Sequence, residues 1–192
     1  TTSTLVFGAV TTNQAGVYVL RASNAGGAVN SQPATLTINP APAPEPGAIS
    51  VVVYNVKGNG ASNWSTNSAQ VRAIGRQVAH LQPDVIAFNE IPANYTWEMT
   101  NFVTAFLPGY YLATNSGTDG YIRSVVASRY PIVFSKSWLD GTSLQAFGYN
   151  GFFTRDLFQA RVAMPGFPRE LDVFVTHLKA TTSSPQSDAN KR

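Results

Sequence analysis

The hydrophobic pattern of the chain changes at a proline-rich stretch, NPAPAPEPGA, which begins at Asn39 and ends at Ala48. Before this stretch, the apolar segments STLVFGAV, GVYVLRAS and AVNSQPATLTI alternate with turn-forming residues, which predicts three short antiparallel β-strands. Its four prolines fix φ and remove hydrogen-bond donors, which favours an extended linker. The pattern therefore predicts three regions, namely residues 1–39, a linker at 40–47 and a second domain at 48–192.

Strand and helix patterns alternate after the linker. AISVVVYNV is an almost continuous β-branched run, which is typical of a strand covered on both faces. Apolar residues recur at helical spacing between a cap at Asn67 or Ser68 and a stop at Pro83, namely Val71, Ile74, Val78 and Leu81. NYTWEMTNFVTAFLPG predicts a second helix, and further strands are predicted in DVIAF, GYYLAT, YIRSVVAS, IVFSKSWL, TRDLFQARVAM and LDVFVTHL. The second domain is therefore predicted to be α/β.

Three of these predicted strands end in a polar residue: VVVYN in Asn55, VIAFNE in Glu90 and DVFVTH in His177. Alternation along a strand places each of them on the face of the residues two and four positions earlier, which for Glu90 are Phe88 and Ile86. In α/β sheets, ligand sites collect beyond the strand ends. An amide, a carboxylate and an imidazole delivered there can hold a hard cation and a phosphate.

Each of the three residues also has a purely structural explanation. Asn55 alone is more often a turn residue, and a single histidine at a strand end, such as His177, usually just forms hydrogen bonds. That explanation is weakest for Glu90, because an ionised carboxylate among apolar residues costs several kcal/mol unless it is paired.

The composition limits the classes of protein. Of the 192 residues, 44% are apolar and 12% are charged, which is typical of a chain that builds a core. The net charge of +3 reflects few acidic residues, and the 13 Lys and Arg are scattered, so the charge permits nucleic acid as a partner without indicating it. The absence of cysteine excludes a disulfide framework, and no apolar run is long enough for a transmembrane helix.

Five segments of the second domain resemble, in order, the motifs of the endonuclease/exonuclease/phosphatase superfamily, the fold of pancreatic deoxyribonuclease. They are VVVYNV, LQPDVIAFNEI, RSVVASRYPIV, FTRDLFQARV and DVFVTHLKA. The resemblance implies that residues 48–192 are the amino-terminal portion of a four-layer α/β/β/α sandwich. The family usually has Gln-Glu where this sequence has Asn89-Glu90, which keeps the carboxylate and changes its neighbour.

The same resemblance implies a role for four residues. Glu90 would ligate a divalent cation, with Mg²⁺ as the first choice and Mn²⁺ or Ca²⁺ as alternatives. Asn55 would orient that carboxylate or the bound phosphate, and His177 would contact the scissile phosphate or help to transfer a proton. Arg155 would bind phosphate oxygens, although a surface ion pair with Asp156 explains it equally well.

The segment NQAGVYVLRASNAGGAVNSQPATLTI resembles the last strands of an immunoglobulin-like domain. Tyr18 would occupy the tyrosine-corner position, and Leu20 stands where the usual cysteine would be. Residues 1–39 are therefore expected to be a partial immunoglobulin-like β domain. Such a module is typical of bacterial surface and secreted proteins, so we expect a secreted or cell-surface location.

Together the resemblances predict a metal-dependent phosphoesterase of the nuclease, phosphatase or sphingomyelinase type. Its partner would be a phosphate ester, such as a nucleic acid or a phospholipid head group. The later motifs of the family, G-D-x-N and S-D-H, do not occur in the sequence, so we expect a fragment that is inactive by itself and an active longer parent. The alternative from another class is an extracellular binding or adhesion protein with an inactive hydrolase-like domain.

Overall fold

The computed structural model of the chain describes residues 12–38, 47–148, 150–153 and 156–178. The chain divides into two compact units between Ala43 and Pro44, within the stretch predicted as a linker. The first predicted strand, STLVFGAV, and the predicted phosphate ligand Arg155 lie outside the described residues. None of the helices in the described ranges combines the length and apolar composition needed to cross a membrane.

In the first unit, two of the predicted strands each divide into two shorter ones. β1 (Gly16–Tyr18) pairs with β4 (Ala34–Leu36), and β2 (Arg21–Asn24) forms a hairpin with β3 (Gly27–Asn30). The segment GVYVLRAS is interrupted between β1 and β2, where the amide of Leu20 donates a 3.0 Å hydrogen bond to the side chain of Ser31 instead of to a strand.

One contact of this unit matches the immunoglobulin-like pattern and one residue does not. The hydroxyl of Tyr18 donates to the carbonyl oxygen of Gln14 at 2.7 Å, the kind of bond that defines a tyrosine corner. Leu20, in the position of the core cysteine, is 60% exposed. The immunoglobulin-like assignment of residues 1–39 therefore stays a prediction.

The second unit contains a four-stranded mixed sheet. Its spatial order is β5 (Val51–Asn55), β6 (Val85–Pro92), β8 (Ile122–Ser128) and β7 (Tyr111–Thr114). β5 and β6 are parallel and are joined by the crossover helix α1 (Ala69–Leu81), whereas β6, β8 and β7 are antiparallel neighbours.

Helices α1 and α2 (Glu98–Phe106) cover one face of this sheet. As predicted, Ser68 caps α1, with its Oγ accepting a hydrogen bond from the amide of Val71 at 3.3 Å. Leu81 is 44% exposed, although its spacing predicted a buried position. Leu81 is the last residue of the helix, which ends at Gln82 with a left-handed φ of 44°. The helix-side core contains Val71, Ile74, Val78, Ile86, Phe88, Ile91 and Phe102.

A three-stranded antiparallel sheet packs on the other face, with β10 (Leu157–Val162) between β9 (Ile132–Trp138) and β11 (Leu171–Val175). The core between the two sheets contains Val85, Ala87, Val126, Phe158, Ala160, Val162 and Val175. The α/β fold class is confirmed, and the described residues supply helices, sheet and sheet, three layers of the predicted four-layer sandwich.

The prediction that β5 is covered on both faces is wrong for the described residues. Val52 and Tyr54 pack against the helix-side core, whereas Val51 and Val53 are 50% and 71% exposed. The physical reason is that β5 lies at the edge of its sheet, and the apolar core between the sheets is built on β6, β7 and β8.

Candidate functional site

A β-bulge near the end of β6 determines where Glu90 points. Phe88 and Ile91 are three positions apart, yet their partners on β8 are only two positions apart, so β6 contains one extra residue. Glu90 has a φ of 61°, in the left-handed region that residues with side chains rarely adopt. Phe88 and Ile91 both lie in the helix-side core, so the chain returns to its original face after the bulge.

The bulge corrects the predicted face of Glu90. Uninterrupted alternation would place its carboxylate with Ile86 and Phe88, beneath the helices. The extra residue instead directs it to the face on which the second sheet packs, because it meets there with His177, two residues beyond the end of β11. Asn55, on the face of β5 away from the helices, reaches the same place.

Asn55, Glu90 and His177 form one cluster at the edge of the two sheets, as the sequence predicts. The side-chain amide of Asn55 donates from Nδ2 to Glu90 Oε1 at 2.9 Å. His177 Nε2 lies 3.3 Å from the same oxygen and 3.4 Å from Asn55 Nδ2. The side chains of Glu90 and His177 are 18% and 29% exposed, so solvent and a ligand can reach the cluster.

Backbone contacts orient the amide and the carboxylate. Asn55 Oδ1 accepts a hydrogen bond from the amide of Lys57 at 2.9 Å, and this turns Nδ2 towards Glu90. The amide of Gly58 donates to the carbonyl oxygen of Glu90 at 2.9 Å and holds the bulge against the loop after β5. A Cβ at Gly58 would lie 2.5 Å from that oxygen, so this approach requires glycine.

Asn89, which replaces the usual Gln of the family motif, is not part of the cluster. It is 7% exposed, and its Oδ1 accepts a hydrogen bond from Ser124 Oγ at 3.0 Å. Asn89 therefore ties β6 to β8 beside the bulge.

A small cleft beside the cluster is lined by Glu90 and His177 and also by Asn115 and Asp156, to which the sequence assigns no role in the site. Asp156, at the start of β10, is 6% exposed, and its Oδ1 accepts a hydrogen bond from Asn115 Nδ2 at 3.0 Å. Among the described residues, its Oδ2 has no hydrogen-bond partner. The residues that line the cleft include Glu90, Asn115, Gly117, Arg123, Asp156 and His177.

The environment of Asp156 disfavours its charge. Burial raises the pKa of the Asp156 carboxyl, the hydrogen bond from Asn115 opposes this rise, and the charge of Asp140 adds to it. Asp156 is not at the surface, so it does not fit the surface ion pair suggested by the sequence. The sequence contains a signal for the burial of Asp156, because this acidic residue directly precedes an apolar strand. Glu90 has the same signal, since it lies among apolar residues.

Arg123 supports the wall of the cleft. Its guanidinium donates to the carbonyl oxygen of Asn115 at 3.0 Å and also contacts the carbonyl oxygen of Ser116. Asn115 Oδ1 accepts from the amide of Gly117 at 3.0 Å, which closes the turn. Arg123 therefore fixes the loop that presents Asn115 to Asp156.

The donor set of the cluster limits the kind of divalent cation that it can hold. Glu90 Oε1 is occupied by Asn55 and His177, whereas Oε2 makes no hydrogen bond with a described residue. Within the described ranges, no three His, Cys, Asp or Glu side chains are arranged to hold a metal ion. One available carboxylate oxygen at an open cleft fits a cation that keeps several waters, as Mg²⁺ does, better than it fits a closed zinc site.

No family model and no curated protein matches this sequence. Among solved structures, humanized D. rerio TDP2 with 14 mutations matches at 20% identity and a TM-score of 0.53, over 72% of this chain and 54% of that one. D. rerio TDP2 complexed with a single-strand DNA product matches at 18% identity and a TM-score of 0.51, over 72% of this chain and 49% of that one. The human Nocturnin catalytic domain with a bound sulfate anion matches at 16% identity and a TM-score of 0.52, over 70% of this chain and 51% of that one.

The chain thus spans about half the length of the structures that it matches. At these identities the similarity is one of fold. The positions of Asn55, Glu90 and His177 come from this chain's own geometry, and Arg155 lies outside the described residues.

Proposed function

We propose that this chain, whose second unit has the fold of the endonuclease/exonuclease/phosphatase superfamily, is part of a hydrolase that cleaves phosphate esters with the help of a divalent cation. The observation that carries the proposal is the convergence of Asn55, Glu90 and His177 from three strand ends on one oxygen atom, Glu90 Oε1. Because the matched structures are about twice as long, the proposed activity is that of the whole protein.

Glu90 is the proposed metal ligand. Asn55 holds Oε1 by a 2.9 Å hydrogen bond, and this leaves Oε2 for a cation at the mouth of the cleft. The carboxylate is close to the apolar core, where an uncompensated charge is costly, so a cation offsets that cost. When bound there, Mg²⁺, or Mn²⁺ or Ca²⁺ in its place, would stabilise negative charge on the phosphoryl oxygens.

His177 is proposed to contact the scissile phosphate or to transfer a proton to or from it. Its Nε2 faces the Glu90 carboxylate at 3.3 Å, which holds the ring at the edge of the cleft. An imidazole in this position can donate to a phosphoryl oxygen or accept a proton from water. Arg155, two residues before β10, remains the proposed phosphate ligand because a guanidinium binds phosphate oxygens with two parallel hydrogen bonds.

The proposed substrate class is a phosphodiester or phosphomonoester, of a nucleic acid or of a phospholipid head group. One of the matched structures is a TDP2 complexed with a single-strand DNA product, and another contains a sulfate anion. Single-stranded DNA is therefore the first substrate to test, followed by an aryl phosphodiester and by sphingomyelin.

The experiment compares the full protein with its Glu90→Gln and His177→Gln variants on these three substrates, in Mg²⁺ and in chelator. The matched control is Glu170→Gln, which makes the same chemical change at a side chain that is 49% exposed. We expect chelator and Glu90→Gln to reduce turnover by more than about 100-fold, because the metal-held charge stabilisation is lost. Turnover by Glu90→Gln equal to that of Glu170→Gln would remove Glu90 from the proposal.

The same assay distinguishes the alternative of a binding or adhesion protein. If the full protein binds a phosphate ester but turns none over in Mg²⁺, Mn²⁺ or Ca²⁺, the hydrolase proposal fails. Cleavage of only one substrate type identifies the substrate class.

A further inference from the structure

The carboxyl group of Asp156 occupies a space shaped for it beside the proposed metal ligand. It lines the same cleft as Glu90 and His177, and it is 6% exposed. A Cβ at Gly117 would lie 2.5 Å from Asp156 Oδ2, so only glycine leaves room for this oxygen. The cleft has a volume of about 20 Å³, which accommodates one water-sized group, such as a single phosphate oxygen.

Asp156 Oδ2 is an orphaned polar atom. No described residue forms a hydrogen bond with it. Among the described residues, the cationic side chain that acts on the Asp156 carboxyl is Arg123, whose guanidinium is engaged by the carbonyl oxygens of Asn115 and Ser116. A buried oxygen without a partner costs about 1–3 kcal/mol, so this atom is expected to meet either a ligand or a proton.

The single hydrogen bond of Asp156 identifies the oxygen that would carry a proton. Asn115 Nδ2 donates to Oδ1, so Oδ1 acts as an acceptor and corresponds to the carbonyl oxygen of a neutral acid. Oδ2 then carries the O–H group, and Asp156 is one of the residues that line the cleft. Burial and the nearby charge of Asp140 both raise the pKa of Asp156, which favours the neutral acid.

We propose that Asp156 binds the substrate as a neutral carboxylic acid, donating a hydrogen bond from Oδ2 to an oxygen of the phosphate group in the cleft beside Glu90. This inference rests on the proposed function, because it requires a phosphate ester at Glu90. An ionised Asp156 would repel that anion, whereas an O–H donor stabilises it. The sequence alone indicates no such role for Asp156.

The test is the binding of inorganic phosphate to the full protein in Mg²⁺, measured by titration calorimetry. The variants are Asp156→Asn, which keeps a donor in place of the O–H group, and Asp156→Ala, which removes it. Glu170→Gln is the control away from the cleft. We expect Asp156→Asn to bind within about twofold of the wild type, and Asp156→Ala to bind about tenfold more weakly, the usual effect of losing one hydrogen bond to a charged group.

The pH dependence gives a second readout that does not depend on the Ala variant folding. Among the described residues, the charged and titratable groups around Asp156 are Asp140, Arg123, Glu90 and His177. Their ionisation and that of phosphate are common to the wild type and Asp156→Asn, so they cancel in the ratio of the two affinities. We expect the wild type to lose affinity relative to Asp156→Asn as the pH rises, because only the wild type can lose its donor by ionisation.

Three results would overturn the inference. Asp156→Asn as weak as Asp156→Ala would mean that the carboxylate acts as an anion, and wild-type affinity in both variants would mean that Asp156 is structural. A constant affinity ratio across pH would contradict a neutral acid. If one of these results is found and the wild type still hydrolyses its substrate in Mg²⁺, the role of Asp156 is refuted and the proposed function is not. Absence of both phosphate binding and hydrolysis in the wild type removes the two together.

Discussion

Asn55 and Glu90 are joined by a hydrogen bond of 2.9 Å from Nδ2 to Oε1, although they are 35 positions apart in the sequence. The bond links the ends of two parallel strands, β5 and β6. It also occupies one oxygen of the carboxylate, and the other oxygen forms no hydrogen bond with a described residue. Asn55 is therefore a positioning residue for the proposed metal ligand.

Replacing Asn55 by alanine should reduce both activity and stability. The substitution removes one hydrogen bond to a charged group, worth about 1.5–3 kcal/mol, so we expect a loss of about 10- to 100-fold in kcat/KM in Mg²⁺. Steady-state kinetics and urea unfolding measure the two effects. Asn63→Ala is the control, because Asn63 is an exposed amide with a similar local bond, to the backbone of Ser65. Equal activities of the two variants would contradict the positioning role.

Replacing Gly58 by alanine should displace Glu90. The added Cβ would meet the Glu90 carbonyl oxygen and the Pro92 ring, both at 2.5 Å, and such overpacking costs about 1–3 kcal/mol. Gly75→Ala is the matched variant, because its Cβ would meet the Phe106 ring at 2.4 Å, in the core between α1 and α2. Both variants should lower the free energy of unfolding, and only Gly58→Ala should also lower the affinity for Mg²⁺. If the affinities for Mg²⁺ are the same, the bulge does not depend on Gly58.

The strained backbone of Glu90 should be detectable as a stability cost. Its φ of 61° is unfavourable for a residue with a Cβ, by about 1–2 kcal/mol, whereas glycine adopts this conformation freely. We therefore expect the free energy of unfolding of Glu90→Gly to be about 1 kcal/mol higher than that of Glu90→Ala. Both variants should be inactive. Chemical denaturation measures the difference. An alanine variant as stable as the glycine variant would show that no strain is stored at this position.

Asp84 should make the free energy of unfolding decrease at acidic pH. Burial raises the pKa of Asp84, but hydrogen bonds from Ser50, together with Arg129 and Tyr130, outweigh it and hold the pKa below its ordinary value of 3.8. The amide and hydroxyl of Ser50 donate to Asp84 Oδ2 at 2.9 and 2.8 Å. Since the folded state binds the proton more weakly than the unfolded state, Asp84 stabilises the fold above the unfolded value, and this stabilisation is lost as the pH falls through the depressed value.

Ser50→Ala should consequently lower the free energy of unfolding by about 1–2 kcal/mol at neutral pH, and by less below the ordinary pKa of Asp84. Urea denaturation at neutral and acidic pH tests this, with Ser62→Ala as the control at an exposed serine. A difference that is the same at both pH values would show that Ser50 acts independently of the Asp84 charge.

The sequence predicts the elements whose cause is local. Helix α1 follows from the spacing of Val71, Ile74 and Val78 and from the Ser68 cap, and all of these are found in the structure. Leu81 was predicted to be buried for the same reason, and it is exposed at the last position of the helix, before the left-handed Gln82. Helical periodicity therefore sets the buried face and does not set the residue at which it stops.

Strand alternation could not predict the face of the sheet on which Glu90 lies. A β-bulge shifts the alternation by one residue, and no residue in FNEIP has the usual signature of one, since Glu90 takes the left-handed position in place of glycine. The position of Asn115 and Asp156 could not be predicted either, because their contact joins residues 41 positions apart in different sheets. The strand-end cluster was predicted because each member follows its own strand, and strand ends meet at one edge.

The most direct test of the central claim, that Asn55, Glu90 and His177 form a cation and phosphate site, is the location of Mn²⁺ by anomalous diffraction from crystals of the full protein soaked with Mn²⁺ and phosphate. The account predicts an anomalous peak at Glu90 Oε2, with phosphate density between that peak and His177. No peak at Glu90 at saturating Mn²⁺, or the only peak at a carboxylate outside the cleft, would contradict it.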